Sequence, residues 1–259
     1  MAFAADSLQS SKHLTAREFV LEGIRDAMLN KQLMAGQELD DQSLAETFGV
    51  SRTPVREALK VLEVQGFVTH RPFSKPLVAP LSADRIEEVF LMRIALEGTA
   101  VARSSVNIDE AGLDYLQLCL DNGREAIERQ DALEWKRCNR EFHTRLSAAA
   151  GMPLLSREVD SLIQLSSFFS IMSWNEIPQS FEHAGLEHRA VLQACRDRDP
   201  ELARHLIEDH IARTLDVQVR AAREREAGQN AIEAAASTAA RSSKSATNRS
   251  DTRRRINRV

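Results

Sequence analysis

The sequence predicts a mainly α protein: a small helical N-terminal domain carrying one β-hairpin, followed by an all-α helical bundle. Three observations lead there. Ala, Leu, Glu and Arg dominate while Gly (10), Pro (7) and aromatic residues (5%) are scarce, a balance that favours helices over sheets. Apolar residues recur at three- and four-residue spacing through most of the chain. The β-prone runs are confined to the two sides of HRPFSKP. At 259 residues, 43% hydrophobic and 28% charged, the chain is long enough for two packed domains and lacks the composition of a disordered protein.

The elements follow in order. From Thr15 the positions Phe19, Val20, Ile24, Met28 and Leu29 trace one face of a helix that closes near Asn30. Asp40 or Asp41 caps a second helix carrying Leu44, Ala45 and Phe48, and Gly49 is placed to end it in a left-handed turn. Ser51 caps a third, with Pro54 tolerated in its first turn and Gly66 as the stop. Phe67-Val68-Thr69 and Leu77-Val78-Ala79 read as a two-stranded hairpin, and Pro80-Leu81-Ser82 as a domain boundary. Ser82 caps a long helix through about Ser104, and helical periodicity continues to about Glu226. Breaks are expected near Asn107-Ile108-Asp109, Gly151-Met152-Pro153, Asn175 to Pro178, and Arg198-Asp199-Pro200. After Gly228 the chain turns Ala/Ser-rich with almost no large apolar residue, which predicts disorder. The expected organisation is a flexible segment 1–14, a domain 15–80, a helical domain 81–227 and a basic tail 228–259.

Some function classes fall away early. Cys119, Cys138 and Cys195 are far apart and form no Cys-x-x-Cys pair, so neither a disulfide framework nor a thiolate zinc site is expected, in keeping with a reducing cytoplasm. The N-terminus has neither a basic nor an apolar targeting region, and charge interrupts every longer apolar stretch, so no membrane partner is expected. A net charge of −4 argues against a general polyanion binder, but the total hides local asymmetry. From Gly49 to Pro80 five Lys/Arg stand against two Glu. Within SRTPVREALKVLEVQG, Val55, Ala58, Leu59 and Leu62 share one side of the helix while Arg52, Arg56 and Lys60 follow one another at i, i+4. A helix with one packing face and one basic face suits a major groove, where arginine pairs bidentately with guanine. Ser51 and Thr53 suit phosphates, and His70, Arg71 and Lys75 extend the same patch.

These residues carry a specific resemblance. Leu44-Ala45-Glu46, then FGVSRTPVREALKVLEVQGFV and the hairpin before VAPLS resemble the winged helix-turn-helix of GntR-type transcription regulators. The resemblance implies that Arg52 and Arg56 read bases, that Ser51 and Thr53 hold phosphates, and that the wing approaches the minor groove. This wing departs from the family in one respect: its tip, Pro72-Phe73-Ser74-Lys75-Pro76, has none of the glycines common there.

The helical domain carries the second set of candidates. If the chain reverses at Arg198 to Pro200, His188 and His210 lie at similar distances on either side of the turn, roughly 15 to 18 Å from it, and face each other across an antiparallel pair. His183 and His205, five residues away from each, point elsewhere. Asn139 and His143, at i and i+4 in WKRCNREFHTRL, share a face and can join that pair around one divalent ion, a nitrogen-rich set suited to zinc or nickel. Taken singly, each His reads more simply as a hydrogen-bonded core or surface residue. Residues from about Ser82 to Glu226 resemble the all-helical effector-binding (FCD) domain of the FadR-like branch of the same regulators. That resemblance implies a metal held by Asn139, His143, His188 and His210, a small organic acid completing its coordination, and Arg93 pairing with the acid's carboxylate. On spacing alone, Arg93 pairs with Glu97. Phe168, Phe169 and Trp174 read as core rather than pocket.

The expectation is therefore a cytoplasmic, dimeric, effector-responsive repressor of a pseudo-palindromic operator. The competing classes are a metal-dependent hydrolase or lyase and an architectural DNA-binding protein. Glu141 lies two residues from both Asn139 and His143 and so faces away from them, leaving the enzyme reading without a general base. From Ala231 to Val259 the tail holds seven Lys/Arg against Glu233 and Asp251, a source of salt-sensitive, sequence-independent DNA affinity.

Overall fold

Thr15 starts the first helix with a reciprocal cap: its hydroxyl accepts from the Glu18 amide, and the Glu18 carboxylate accepts from the Thr15 amide at 2.9 Å. The computed structural model describes residues 14–70, 74–173 and 180–256. Helix α1 is Ala16–Leu29, α2 Asp41–Phe48 and α3 Arg52–Val64, followed by strands β1 (Val68–Thr69) and β2 (Leu77–Val78). Asp40 caps α2 and Gly49 ends it at φ 65°, in the left-handed region that glycine enters without steric cost. β1 and β2 pair antiparallel with Val68 opposite Val78, and Glu38 bridges to Leu77 on the other edge.

The helical domain contains α4 (Ala83–Asn107), α5 (Glu110–Glu128), α6 (Ala132–Ala148), α7 (Pro153–Ser173), α8 (Ser180–Arg196) and α9 (Pro200–Ile256). Asp109, Asp131 and Ser82 each cap the helix that follows with a side-chain oxygen. One hydrophobic core runs through both domains. Phe67 beyond α3 meets Phe168 of α7 with ring centroids 5.9 Å apart, and the Arg85 guanidinium of α4 donates to the Gly66 carbonyl.

Three expectations need correction. Ser51 occupies the N-cap position of α3, but its side chain makes no capping hydrogen bond. The turn between α5 and α6, at Arg129-Gln130-Asp131, was not among the expected breaks; Gln130 takes φ 58° there. The Arg93–Glu97 pair lies in the interior, at 7% and 0% exposure, so the few tenths of a kcal/mol of an exposed helix pair do not describe it. α9 extends past Gly228 to Ile256, into the segment expected from composition to be a basic tail. Residues 1–13, Arg71, Trp174 and the break at Asn175 to Pro178 lie outside the described residues.

Candidate metal centre and nucleic-acid interface

α6 presents Asn139 and His143 on one face, since residues four apart stack one turn above the other. α8 and α9, reversed at Arg198-Asp199-Pro200, bring His188 and His210 to meet it. Nε2 of His188 lies 3.2 Å from Nε2 of His143 and 3.0 Å from Nε2 of His210. All three rings are buried, and they form a group able to hold a metal ion. Asn139, half-buried, lines the same cavity of about 300 Å³ as Arg93, His143 and His210. His183 and His205 sit on the surface outside the cluster, beside Glu187 and Asp209.

Two carboxylates stand behind the imidazoles. Glu97 accepts from His143 Nδ1 at 2.8 Å and from Arg93 Nε at 2.6 Å. Glu187 accepts from His210 Nδ1 at 2.6 Å and from Arg213 Nε at 2.6 Å. Burial by itself pushes the Glu97 carboxyl up, but the Arg93 guanidinium and His143 outweigh it and hold the group well below the usual carboxylate range. Burial likewise drives His143 and His188 down, so their rings are neutral, the form that binds metal.

The donor set fits a cation. With the Nδ1 protons of His143 and His210 engaged by carboxylates, their Nε2 atoms carry lone pairs, a tautomer assigned from the hydrogen-bond network. His188 Nε2 has at most one proton for two such neighbours. The three converging Nε2 atoms thus hold at most one proton among them, an electron-rich cluster that suits a cation. The spacings of 3.0 and 3.2 Å also lie near the roughly 3.3 Å that separates nitrogens bound tetrahedrally to one ion at about 2.0–2.1 Å each.

Sequence reading missed the roles of Glu97 and Glu187. The signal was there: a ligating His wants a carboxylate or carbonyl behind its other nitrogen. Which acid serves which ring is decided by contacts 46 and 23 residues apart. Phe168 and Phe169 are fully buried core residues, and the cavity wall is made instead by Trp135 and Phe181, stacked at 3.7 Å. Glu141 points outward, accepting from Tyr115 and Arg145.

At the other end of the molecule, Val55, Ala58, Leu59 and Leu62 of α3 are buried while Ser51, Arg52, Thr53, Arg56 and Lys60 are exposed. Arg52, Arg56, Lys60, His70 and Lys75 line one groove between α3 and the hairpin. Asp41 of α2 holds both arginines, at 2.9 Å from Arg52 and 2.6 Å from Arg56, and Asp40 pairs with Lys75 at 2.8 Å. His70 Nε2 lies 2.8 Å from the Ser74 carbonyl oxygen, which ties the two arms of the hairpin together.

Residues 16–74 match the gntR family of bacterial regulatory proteins, and residues 88–213 match the FCD domain. An uncharacterised HTH-type transcriptional regulator from the TAR-I ttuE-ttuC' intergenic region of Agrobacterium vitis is 31% identical over 57% of this chain and 86% of its own length. A probable D-xylose utilization operon repressor of Paenarthrobacter nicotinovorans is 28% identical over 80% of this chain and 91% of its own. The solved structure of Escherichia coli McbR superposes with a TM-score of 0.70 at 23% identity, over 80% of this chain and 99% of that one, a likeness of fold. Among the described residues no helix is long and apolar enough to cross a membrane.

Proposed function

Because this chain belongs to the gntR family of bacterial regulatory proteins, with an FCD domain behind its DNA-binding domain, we propose that it is a repressor that grips a pseudo-palindromic operator as a homodimer and is released by a small organic acid bound at a divalent metal. The observation that carries the sensing half is the buried His143–His188–His210 triad, braced by two carboxylates and open to a cavity that Arg93 also lines. Asn139, His143, His188 and His210 hold the ion, zinc or nickel by the chemistry of the set. When bound, that ion supplies a positive charge at which an effector carboxylate completes the coordination. Arg93 takes the other carboxylate oxygen, sharing its guanidinium with Glu97 and with Ser166, 3.0 Å away.

α3 enters the major groove, with Arg52 and Arg56 on base edges and Lys60 on the backbone. Ser51 and Thr53, beside the free amides of the first turn, bind phosphate, and His70, Arg71 and Lys75 bring the wing to the minor groove. α7 links the two ends. Ser166, Ser167 and Ser170 line the cavity, while Leu165 and Phe168 pack toward Gly66 and Phe67 of the DNA-binding domain. An acid that draws Arg93 away from Ser166 thus changes how α7 supports that domain, and a hundredfold loss of operator affinity requires a coupling free energy of about 2.7 kcal/mol. The family and the relatives are transcriptional regulators, not enzymes.

The test is selection of duplexes from a random pool by the zinc-loaded protein, followed by titration of the winner with carboxylic acids. The proposal expects a two-fold-symmetric site bound by two chains, zinc binding lost in His188→Ala, and acid-dependent release lost with it. A protein that selects no sequence, or whose operator affinity ignores both chelator and acids, is not this regulator.

A further inference from the structure

Asp41 opens α2, and α3 returns past it so that Arg52 and Arg56, one turn apart, both reach its carboxylate. The two arginines are held differently. Arg56 donates through Nε to Oδ2 at 2.6 Å, which leaves its two terminal nitrogens without a partner among the described residues. Arg52 donates through one terminal nitrogen, Nη2, to both carboxylate oxygens at 2.9 Å, so half of its terminal fork is engaged. These hydrogen bonds, Arg52's first, hold the Asp41 carboxyl below its ordinary range, so it stays ionised. The side chains of Arg52 and Arg56 are 49% and 60% exposed, and ion pairs so open to water add little to stability. What the contact does is orient. A guanidinium is a rigid plane of donors, and fixing Nε leaves the two-nitrogen end that matches O6 and N7 of guanine. The neighbouring acids serve elsewhere: Asp40 accepts from the Ser43 amide and pairs with Lys75, and Glu63 borders the same groove without touching either arginine.

We propose that Asp41 is a specificity-determining, positioning residue of the DNA interface: it holds Arg56 by Nε with the terminal fork presented to one guanine, and keeps Arg52 beside it as a single-nitrogen donor. The inference rests on the reading of α3 as the base-reading helix and says how that helix is made selective. Asp41 acts with opposite sign on the two kinds of duplex. On the operator, the brace fixes in advance the side-chain freedom that Arg56 would lose on binding. It also lines up a bidentate contact that discriminates against a wrong base by about 5- to 150-fold. On an unrelated duplex no guanine stands in register, so the arginines meet only phosphates. There the Asp41 carboxylate competes for the guanidiniums and repels the same phosphates. Asp41 therefore tightens the first complex and loosens the second.

The experiment is fluorescence anisotropy of the full chain, at one fixed salt concentration, against the selected operator, its single-base variants and a scrambled duplex. It is repeated for Asp41→Ala, Asp41→Asn and Glu63→Gln. Asp41→Ala is expected to bind the operator more weakly and the scrambled duplex as well or better, so that the ratio of affinities falls about tenfold or more. Its lost preference lies at the guanine that Arg56→Ala also relaxes, and adding it to Arg56→Ala costs no further discrimination there. Asp41→Asn, which keeps the shape and one oxygen, loses part of the ratio and preserves the test where Asp41→Ala lowers the urea midpoint. Glu63→Gln takes the same charge from the groove but shifts both duplexes together. If both Asp41 variants keep the ratio within about threefold, or tighten both duplexes equally, the positioning role is overturned while α3 remains the reading helix. Effects of Asp41→Ala and Arg56→Ala that add in full at that base overturn it too. A parent protein that selects no sequence, or an Arg56→Ala variant that keeps every base preference, fails the reading of α3 itself and the inference with it.

Discussion

Replacing Glu97 by Gln removes one charge and almost no volume. Glu97 is fully buried and accepts two hydrogen bonds, from Arg93 Nε at 2.6 Å and His143 Nδ1 at 2.8 Å. Gln has one oxygen for these two donors, so its amide N–H group must face one of them. Arg93 loses its counter-charge, and stripping one partner from a buried pair costs about 3–5 kcal/mol. Ser166 still accepts from Arg93 and the guanidinium borders the cavity, which places the expected loss near the lower end, about 3 kcal/mol. Separately, where the amide turns its N–H to His143, the ring proton moves to Nε2 and the metal loses a donor. Loss of such a supporting contact weakens zinc binding by about 10- to 100-fold. Urea unfolding of the metal-free protein reads the first effect and competition with a chromophoric chelator reads the second. The double variant Arg93→Met/Glu97→Gln tells them apart: it recovers part of the stability, because no charge is stranded, but none of the zinc affinity. A Glu97→Gln protein with an unchanged urea midpoint and zinc affinity within threefold of the parent would refute the account of Glu97 as an ionised brace for His143.

Other consequences are as direct. Arg56→Ala is expected to lose about 1–3 kcal/mol of discrimination at one operator position, whereas Lys60→Ala weakens all duplexes alike and lowers the salt slope by about one; fluorescence anisotropy across salt concentrations and base changes distinguishes the two. Gly23→Ala drives a methyl into the Phe48 ring, so the DNA-binding domain should lose about 1–3 kcal/mol despite the better helix propensity of Ala, seen as faster amide exchange in α1 and α2. The His143 pKa lies at about 4 in the folded protein, below the ordinary value of 6.5, because burial penalises the charged ring. The unfolded chain therefore takes up the proton first. Stability holds above about pH 6.5 and falls by on the order of 3 kcal/mol as pH drops to 4, measurable as a shrinking urea midpoint; a midpoint that rises on acidification contradicts it. Truncation after Gly228 should shrink the salt dependence of DNA binding without changing the preferred site.

Much of the fold was legible because its signals are short-ranged. Thr15, Asp40 and Ser82 satisfy helix amides three residues on, Gly49 and Gly66 take the positive φ that ends their segments, and the 3.6-residue period alone separates Leu59 from Lys60. The turn at Gln130 was illegible for the matching reason: an ordinary side chain was forced into the left-handed region by the helices on either side of it.

The candidate site divides along the same line. Helical spacing was enough to put Asn139 and His143 on one face, to set Arg52, Arg56 and Lys60 in an exposed row, and, with a reversal at Pro200, to bring His188 opposite His210. Long-range packing brings the α6 pair against that second pair, sets Glu97 and Glu187 behind the rings so that their Nε2 atoms converge, and gathers both arginines on Asp41. Helical spacing decides which way a side chain points. Packing decides what it finds there, and for a buried group that neighbour settles which atoms carry charge and which lone pairs remain for an ion.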